Sequence, residues 1–129
     1  MNRSISRTPA TRTPVSRSLM PALAAVLLST SAFAHHGWSE YDAGKPLNLS
    51  GTIVESGYTQ PHGHVLLQSA DKRWHVVLAP PSRMENRGLA KEALAAGTKV
   101  MVYGYPHRSK LDELRAERIT VGDKTTELR

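Results

Sequence analysis

The chain has 129 residues, no cysteine and a formal net charge of +6 at pH 7. This length suits one small domain, and the lack of cysteine excludes disulfide bonds and thiolate metal sites. Arginines at positions 3, 7, 12 and 17 account for four of the six charges, so the chain beyond them carries only +2, which gives little reason to expect nucleic-acid binding.

The first 34 residues have the three-part pattern of an export signal. Four arginines and no acidic residue precede or flank an apolar stretch over residues 19–28, and small residues follow up to Ala32-Phe33-Ala34. The apolar stretch is shorter than the roughly 20 residues of a membrane-spanning helix. The pattern predicts a signal peptide over residues 1–34, cut between Ala34 and His35, and a periplasmic or secreted mature protein without a transmembrane segment.

After the predicted cut, residues 35–46 are expected to form an N-terminal arm and residues 47–129 a single β domain. Apolar and polar residues alternate along several segments of this domain, which is typical of strands. In the third segment, Trp74, Val76 and Leu78 share one face and His75 lies on the other. The five predicted strands cover residues 47–58, 64–69, 73–79, 99–105 and 117–121, and the tail is expected to add a short edge strand.

The segment between the third and fourth predicted strands has helical features. Ser82 and Glu85 have the spacing of a capping box, which places a helix start there. Apolar residues at helical spacing follow, and Gly97 is placed to end the helix. Gly88 is predicted to divide the segment into a short turn and then a helix.

Three strands, a helix and two further strands are the element order of the OB-fold, a five-stranded β-barrel. We therefore predict a mainly β, OB-fold-like barrel with one helix between strands 3 and 4. Such barrels bind ligands on the face of strands 2 and 3, between the loops that join strand 1 to 2 and strand 4 to 5.

The histidines are the unusual feature of the composition, because all six follow the predicted cut. In an OB-type barrel, His62 and His64 would lie in or beside the loop that joins strands 1 and 2, and His107 in the loop that joins strands 4 and 5. These loops would bring the three histidines to one side of the barrel, with His75 on strand 3. The candidate metal ligands are His35, His36, His62, His64 and His107, with His75 as an additional candidate.

A mature chain that begins with His35 offers an α-amine beside an imidazole, and an amine with imidazoles fits Cu(II) best. The predicted cofactor is therefore copper or another transition metal, bound for storage, transfer or sensing. This requires the amine, His36 and at least one of His62, His64 or His107 to lie together. In the alternative interpretation each histidine is a solvated or hydrogen-bonded side chain.

A second function fits the aromatic residues. Tyr58, Tyr103 and Tyr105, with Trp38 and Tyr41, are candidates for a stacking surface in a non-catalytic module that binds a protein, peptide or envelope polymer. Arginines at 83, 87, 108, 115 and 118 form an anion clamp in one interpretation, but the glutamates at 85, 113 and 117 indicate a mixed solvated surface. The sequence contains no nucleophile motif, phosphate loop or zinc-protease helix, so no catalytic residue and no enzyme activity are predicted.

Several short motifs together resemble one known family. They are His35-His36-Gly37-Trp38, Leu49-Ser50-Gly51-Thr52-Ile53, Pro61-His62, Trp74, Ala79-Pro80-Pro81-Ser82-Arg83-Met84, Arg87-Gly88-Leu89, Gly97 and Gly104-Tyr105-Pro106-His107. The set is similar to small exported bacterial proteins grouped as domain of unknown function 6152. The resemblance implies export and one domain, and it implies no established activity. Family members usually carry asparagine where this chain has Gln60, so a role of that asparagine does not carry over.

Overall fold

Strands make up most of the regular secondary structure in the described part of the protein. A computed structural model describes residues 9–12 and 37–129, so His35, His36 and all of the predicted signal peptide except residues 9–12 lie outside the described residues. The strands are β1 (Leu47–Gly57), β2 (His64–Gln68), β3 (Arg73–Val77), β4 (Lys99–Pro106), β5 (Glu113–Val121) and β6 (Lys124–Glu127).

The strand pairing closes a barrel. The sheet has the order β3-β2-β1-β4-β5-β6, and an additional pairing joins β3 to β5. The first part of β5 runs parallel to β3, with Val76 opposite Leu114, whereas its later part pairs with β6. Strands β1 to β5 thus form the five-stranded barrel that the element order predicts, and β6 is the predicted edge strand.

The barrel interior is filled by the alternating apolar residues of the strands. Trp74 and Val76 of β3 are buried while His75 between them is exposed, which confirms the predicted faces of this strand. The fully buried side chains come from nearly every element: Ile53, Val65, Leu67, Val76, Leu78, Met84, Leu94, Val102, Leu114, Ile119 and Leu128. This core holds the strand ends and their loops in fixed positions.

The segment between β3 and β4 contains two short helical pieces: α1 (Pro81–Asn86) and a 3-10 helix (Lys91–Leu94). Residues 37–39 of the arm are also helical. The predicted capping box is wrong, because Pro80 precedes α1 and no side chain caps it. The order of the pieces is also the reverse of the prediction. Gly88, at a φ of 79°, follows the α-helix and separates it from the 3-10 helix.

Strand β5 begins four residues before its predicted start at residue 117. Leu114 and Ala116 point into the barrel, whereas Glu113 and Arg115 are paired with outward-facing residues of the neighbouring strands. Their charges make the segment resemble a loop in the sequence. The alternation of Leu114 and Ala116 with charged residues is nevertheless that of a strand with one apolar face.

The arm preceding β1 runs along the loop between β4 and β5. Tyr41 and His107 form an isolated antiparallel bridge. The amide of Asp42 donates to the carbonyl of Pro106 at 2.9 Å, and the amide of Arg108 donates to the carbonyl of Glu40 at 2.8 Å. The described part of the arm is therefore attached to the barrel by backbone hydrogen bonds, and it covers the outer face of β5.

Candidate functional site

Two charged side chains on the outer face of β5 are buried by the arm. Glu113 and Arg115 are each 8% exposed, although neither points into the barrel. Tyr41 and Trp38 of the arm lie against them. The arm therefore buries part of the outer face of β5, and the side chains buried there are polar.

Glu113 is held by donors from three parts of the chain. The hydroxyl of Tyr41 donates to its Oε1 at 2.5 Å, and Lys110 Nζ lies 3.3 Å from its Oε2. His75 Nδ1 lies 3.6 Å from the same Oε2. Burial opposes ionisation of Glu113, but the hydrogen bond from Tyr41 and the ammonium of Lys110 outweigh it and lower its pKa. The carboxylate therefore stays charged under the arm.

Arg115 fixes the start of the described arm. It donates from one terminal nitrogen to the carbonyl of Gly37 at 3.1 Å and from the other to His62 Nε2 at 3.0 Å. Its guanidinium carbon lies 4.6 Å from the ring centroid of Trp38. Burial lowers the pKa of Arg115. Its Nε is buried without a hydrogen-bond partner among the described residues.

His62 lies in the loop between β1 and β2, after the cis peptide bond between Gln60 and Pro61. Burial lowers the pKa of His62, and the positive charges of Arg115 and Arg83 lower it further. The neutral ring accepts the hydrogen bond from Arg115, so its Nε2 is occupied. A nearby guanidinium also repels a metal cation.

His64 and His75 form a pair on the outer faces of β2 and β3. Their ring centroids are 5.4 Å apart and their planes are tilted by 59°. The pair requires glycine at position 57 of β1, because a Cβ there would collide with the ring of His64. Of the candidate metal ligands, only these two have adjacent rings in the described part of the chain.

His107 stabilises the loop after β4. Its Nδ1 accepts hydrogen bonds from the backbone amides of Ser109 and Lys110, each at 3.1 Å. This assigns the ring proton to Nε2, which lies 3.8 Å from Glu40 Oε2. The ring also packs edge-on against Tyr41, with centroids 5.1 Å apart. Both nitrogens of His107 therefore have local partners.

The four histidines of the described residues accordingly lie along one side of the barrel without forming one centre. His75 reaches Glu113, and His62 reaches Arg115. Within residues 9–12 and 37–129, no three histidine, aspartate or glutamate side chains are grouped closely enough to hold a metal ion. The copper site remains a prediction whose first two ligands, His35 and His36, lie outside the described residues.

The aromatic residues divide into two groups. Tyr58 is partly buried against the core, and its hydroxyl donates to the carbonyl of Leu89 at 2.7 Å. Tyr103 and Tyr105 lie edge to face on the outside of β4, with centroids 5.9 Å apart. Trp38 of the arm lies edge-on to Tyr105 at 6.2 Å.

An open cavity of about 390 Å³ lies between the arm and the barrel. We call it the arm cleft, and its lining residues are Trp38, Ser39, Tyr41, Ala43, Tyr105, Arg108 and Arg129. The hydroxyl of Tyr105 donates to Glu117, and this hydrogen bond raises the pKa of Tyr105 to about 12. The phenol therefore stays neutral, and it presents a fixed ring to the cleft.

Sequence reasoning identified Trp38 and Tyr105 as candidates for stacking, but it missed Arg129 and the position of the cleft. Arg129 lies over the Trp38 ring, at 4.8 Å from its centroid. The carbonyls of the last residues are held by α1 and the residue that follows it, since Arg83 donates to Leu128 at 3.2 Å and Arg87 donates to Arg129 at 2.9 Å. No local pattern in the tail indicates this return to the arm.

Comparison with known proteins identifies a family and little more. No curated protein matches the chain. One solved structure that resembles it is the crystal structure of TiaS in complex with a tRNA and ATP, with 18% sequence identity and a TM-score of 0.48, over 69% of this chain and 20% of that chain. None of the described helices has the length and apolar character needed to cross a membrane. The family described as "Family of unknown function (DUF6152)" matches residues 23–115, and the chain belongs to it.

Proposed function

We propose that this protein is a small exported, non-catalytic binding module that recognises a ring-containing polymer of the cell envelope. The observation that carries the proposal is the arm cleft, where Trp38 and Tyr105 offer aromatic surface at an open cavity. Aromatic side chains of this kind bind sugar rings and planar groups with little loss of side-chain entropy. The export itself rests on the leader pattern of the sequence.

The location of the cleft is consistent with an OB-type module. Arg108 follows β4, in the loop that joins β4 to β5, and Trp38 lies on the arm beside that loop. In other OB-folds this loop flanks the ligand. In this chain the arm supplies the opposite wall.

The test uses the mature protein in co-sedimentation with purified peptidoglycan sacculi and in gels that contain defined neutral or acidic polysaccharides. Tyr105→Ala should abolish retention on the bound polymer, since it removes one wall of the cleft. Tyr103→Ala is the matched control, because Tyr103 lies two residues away on the same face of β4 but does not line the cleft. Equal loss in the two variants, or no retention on any polymer, would contradict the proposal.

Metal binding at the mature N-terminus is a second candidate, favoured by one observation. Gly37, which directly follows His36, is bound through its carbonyl to the same guanidinium as His62. Gly37, the first residue described after the predicted cut, therefore lies close to His62. The amine, His35 and His36 would supply a local Cu(II) chelate, which competes with protonation of the amine.

Calorimetric titration of Cu(II) distinguishes the local chelate from a shared site. An added residue ahead of His35 should weaken binding strongly, because it removes the free amine from the chelate. His62→Ala should leave the affinity unchanged for a local chelate and weaken it for a shared one. Equal affinity in the mature protein and the extended protein would refute a site at the terminus.

A further inference from the structure

Guanidinium groups surround the arm cleft. Arg108 and Arg129 line it, and Arg129 is held against the face of Trp38. Outside the cleft, Arg118 lies 4.0 Å from the ring centroid of Tyr103. Contacts with aromatic faces position Arg118 and Arg129, and neither forms a salt bridge with a carboxylate of the described residues, whereas Arg108 lies 4.0 Å from Asp42. The walls of the cleft are therefore both aromatic and positively charged.

A buried cation lies directly behind the cleft. Arg115 is 8% exposed, and no carboxylate of the described residues forms a salt bridge with it. It packs on Trp38, which is itself a cleft residue. Arg83 adds a second positive charge close enough to lower the pKa of Arg115. The carboxylate of Glu113 offsets only part of the cost of burying this cation, since the pKa of Arg115 is still lowered, so the region favours added negative charge.

The carboxylates near the cleft already have partners. Glu113 accepts from Tyr41, and Glu117 accepts from Tyr105. Asp42 accepts from the amide of Gly44 and lies 4.0 Å from Arg108. The sequence before Glu40 contains no aspartate or glutamate, so the preceding segment offers no side-chain carboxylate either. Among the described residues no side-chain carboxylate forms a salt bridge with Arg129, so its charge is available to an anionic ligand.

We infer that the arm cleft binds an acidic sugar unit of a polysaccharide, with the ring on Trp38 and Tyr105 and the carboxylate on Arg108 and Arg129. This inference rests on the proposed function and names the chemistry of its ligand. A sugar ring presents apolar C–H groups to an aromatic face, and a carboxylate matches the paired donors of guanidinium. The cavity of about 390 Å³ is within the range of small-ligand sites, about 300–1,000 Å³.

The test compares a short oligomannuronate with the same oligomer after its carboxyl groups have been reduced to alcohols. Isothermal calorimetry on the mature protein should show binding of the acidic oligomer and loss of binding after reduction. Because the interaction is ionic at a partly exposed site, added salt should weaken it. Arg108→Gln and Arg129→Gln should each lower the affinity about tenfold, as expected when a hydrogen bond to a charged group is lost.

Arg73→Gln is the control variant. Arg73 is an exposed arginine of β3 that bonds to Gln68 and does not line the cleft, so its replacement should leave the affinity unchanged. Thermal unfolding of each variant establishes that the barrel is intact. An equal loss of affinity in the control would indicate nonspecific attraction by net charge and would overturn the inference.

The remaining outcomes separate the inference from the proposed function. Equal binding of the acidic and the reduced oligomer would refute the acidic-sugar inference while leaving a polymer-binding cleft in place. Binding of neither oligomer, together with no retention on any envelope polymer, would refute both. Tighter binding of single-stranded DNA than of oligomannuronate, abolished by Arg129→Gln, would assign the cleft to nucleic acid and overturn the inference.

Discussion

The barrel interior and the surface beneath the arm are both buried, but they are built from different chemistry. The interior is formed by apolar side chains of the strands, such as Leu67 and Val102, which are 0% exposed. The surface beneath the arm contains Glu113 and Arg115, whose polar atoms contact the arm through Tyr41 and Gly37. Nondirectional burial holds the first region together, whereas specific hydrogen bonds hold the second.

This difference suggests that the two regions have different stabilities. The barrel is closed by strand pairing on all sides, so its core opens only when the whole sheet opens. The arm is attached by a few hydrogen bonds and by packing of Trp38 and Tyr41. Segments with few buried apolar contacts open locally, at a lower free energy than the global unfolding of the protein.

The largest expected effect is on the barrel. Leu67→Ala should lower the free energy of unfolding by about 2–5 kcal/mol, because it leaves a cavity in a fully buried site. Urea denaturation should show the loss of β structure in one transition at a lower midpoint. A loss confined to the arm, with the barrel transition unchanged, would contradict the assignment of Leu67 to a common core.

Tyr41→Phe should act on the arm alone. It removes the hydroxyl that donates to Glu113, at a cost of about 1.5–3 kcal/mol for a hydrogen bond to a charged group. Hydrogen exchange should accelerate at the amides of Asp42 and Arg108, which bond the arm to the loop after β4. Tyr103→Phe is the control. Faster exchange throughout β1 to β5 would show that the arm and barrel open together.

Acid should loosen the arm before it unfolds the barrel. The pKa of His62 lies below its usual 6.5 and that of Glu113 below its usual 4.5. Each lowered pKa favours the deprotonated form in the folded state, so stability falls as the pH drops below 6.5 for His62 and then through the lowered pKa of Glu113. Proteolysis of the arm at decreasing pH measures the first step.

The glutamine substitution of His62 sharpens this prediction. His62→Gln keeps an acceptor for Arg115 but does not titrate, so it should remove the loss of protection that begins near pH 6.5. The later loss from Glu113 should persist. An unchanged pH profile would show that protonation of His62 does not control the arm.

The smallest effect is expected for a residue that belongs to neither region. Leu111 in the loop between β4 and β5 is 86% exposed. Leu111→Ala should change the free energy of unfolding by no more than about 0.5 kcal/mol and leave the exchange of the arm unaltered. A larger change would indicate that this apolar tip packs against something in solution, which self-association measurements by sedimentation would reveal.

The barrel could be predicted from the sequence because its strands obey simple alternation. In β3, Trp74 and Val76 alternate with His75, and burial follows that pattern. The start of β5 was missed because Glu113 and Arg115 resemble loop residues. Their burial depends on the arm, which is distant in sequence, and no local pattern indicates a tertiary contact of this kind.

The sequence indicated which residue types belong to the candidate sites, but it did not indicate how their side chains are arranged. The OB-type topology suggested that His62, His64 and His107 share one side of the barrel, but hydrogen bonds direct His62 to Arg115 and His107 to its own loop. The hydrogen-bond partner of each histidine depends on the orientation of its side chain in the folded protein, which no local sequence pattern indicates. Trp38 and Tyr105 were recognisable as aromatic candidates, whereas Arg129 reaches Trp38 only through the folding of the tail.

The two walls of the arm cleft belong to the arm and to the barrel, so the recognition proposed for the cleft would depend on docking of the arm. Trp38 and Tyr41 lie on the arm, while Tyr105 and Arg108 lie on the barrel and its loop. The complete cleft exists only in the docked population, so the apparent affinity is the intrinsic affinity multiplied by the docked fraction. A ligand that bridges the walls raises that fraction in turn, and a substitution that undocks the arm weakens binding without touching the ligand.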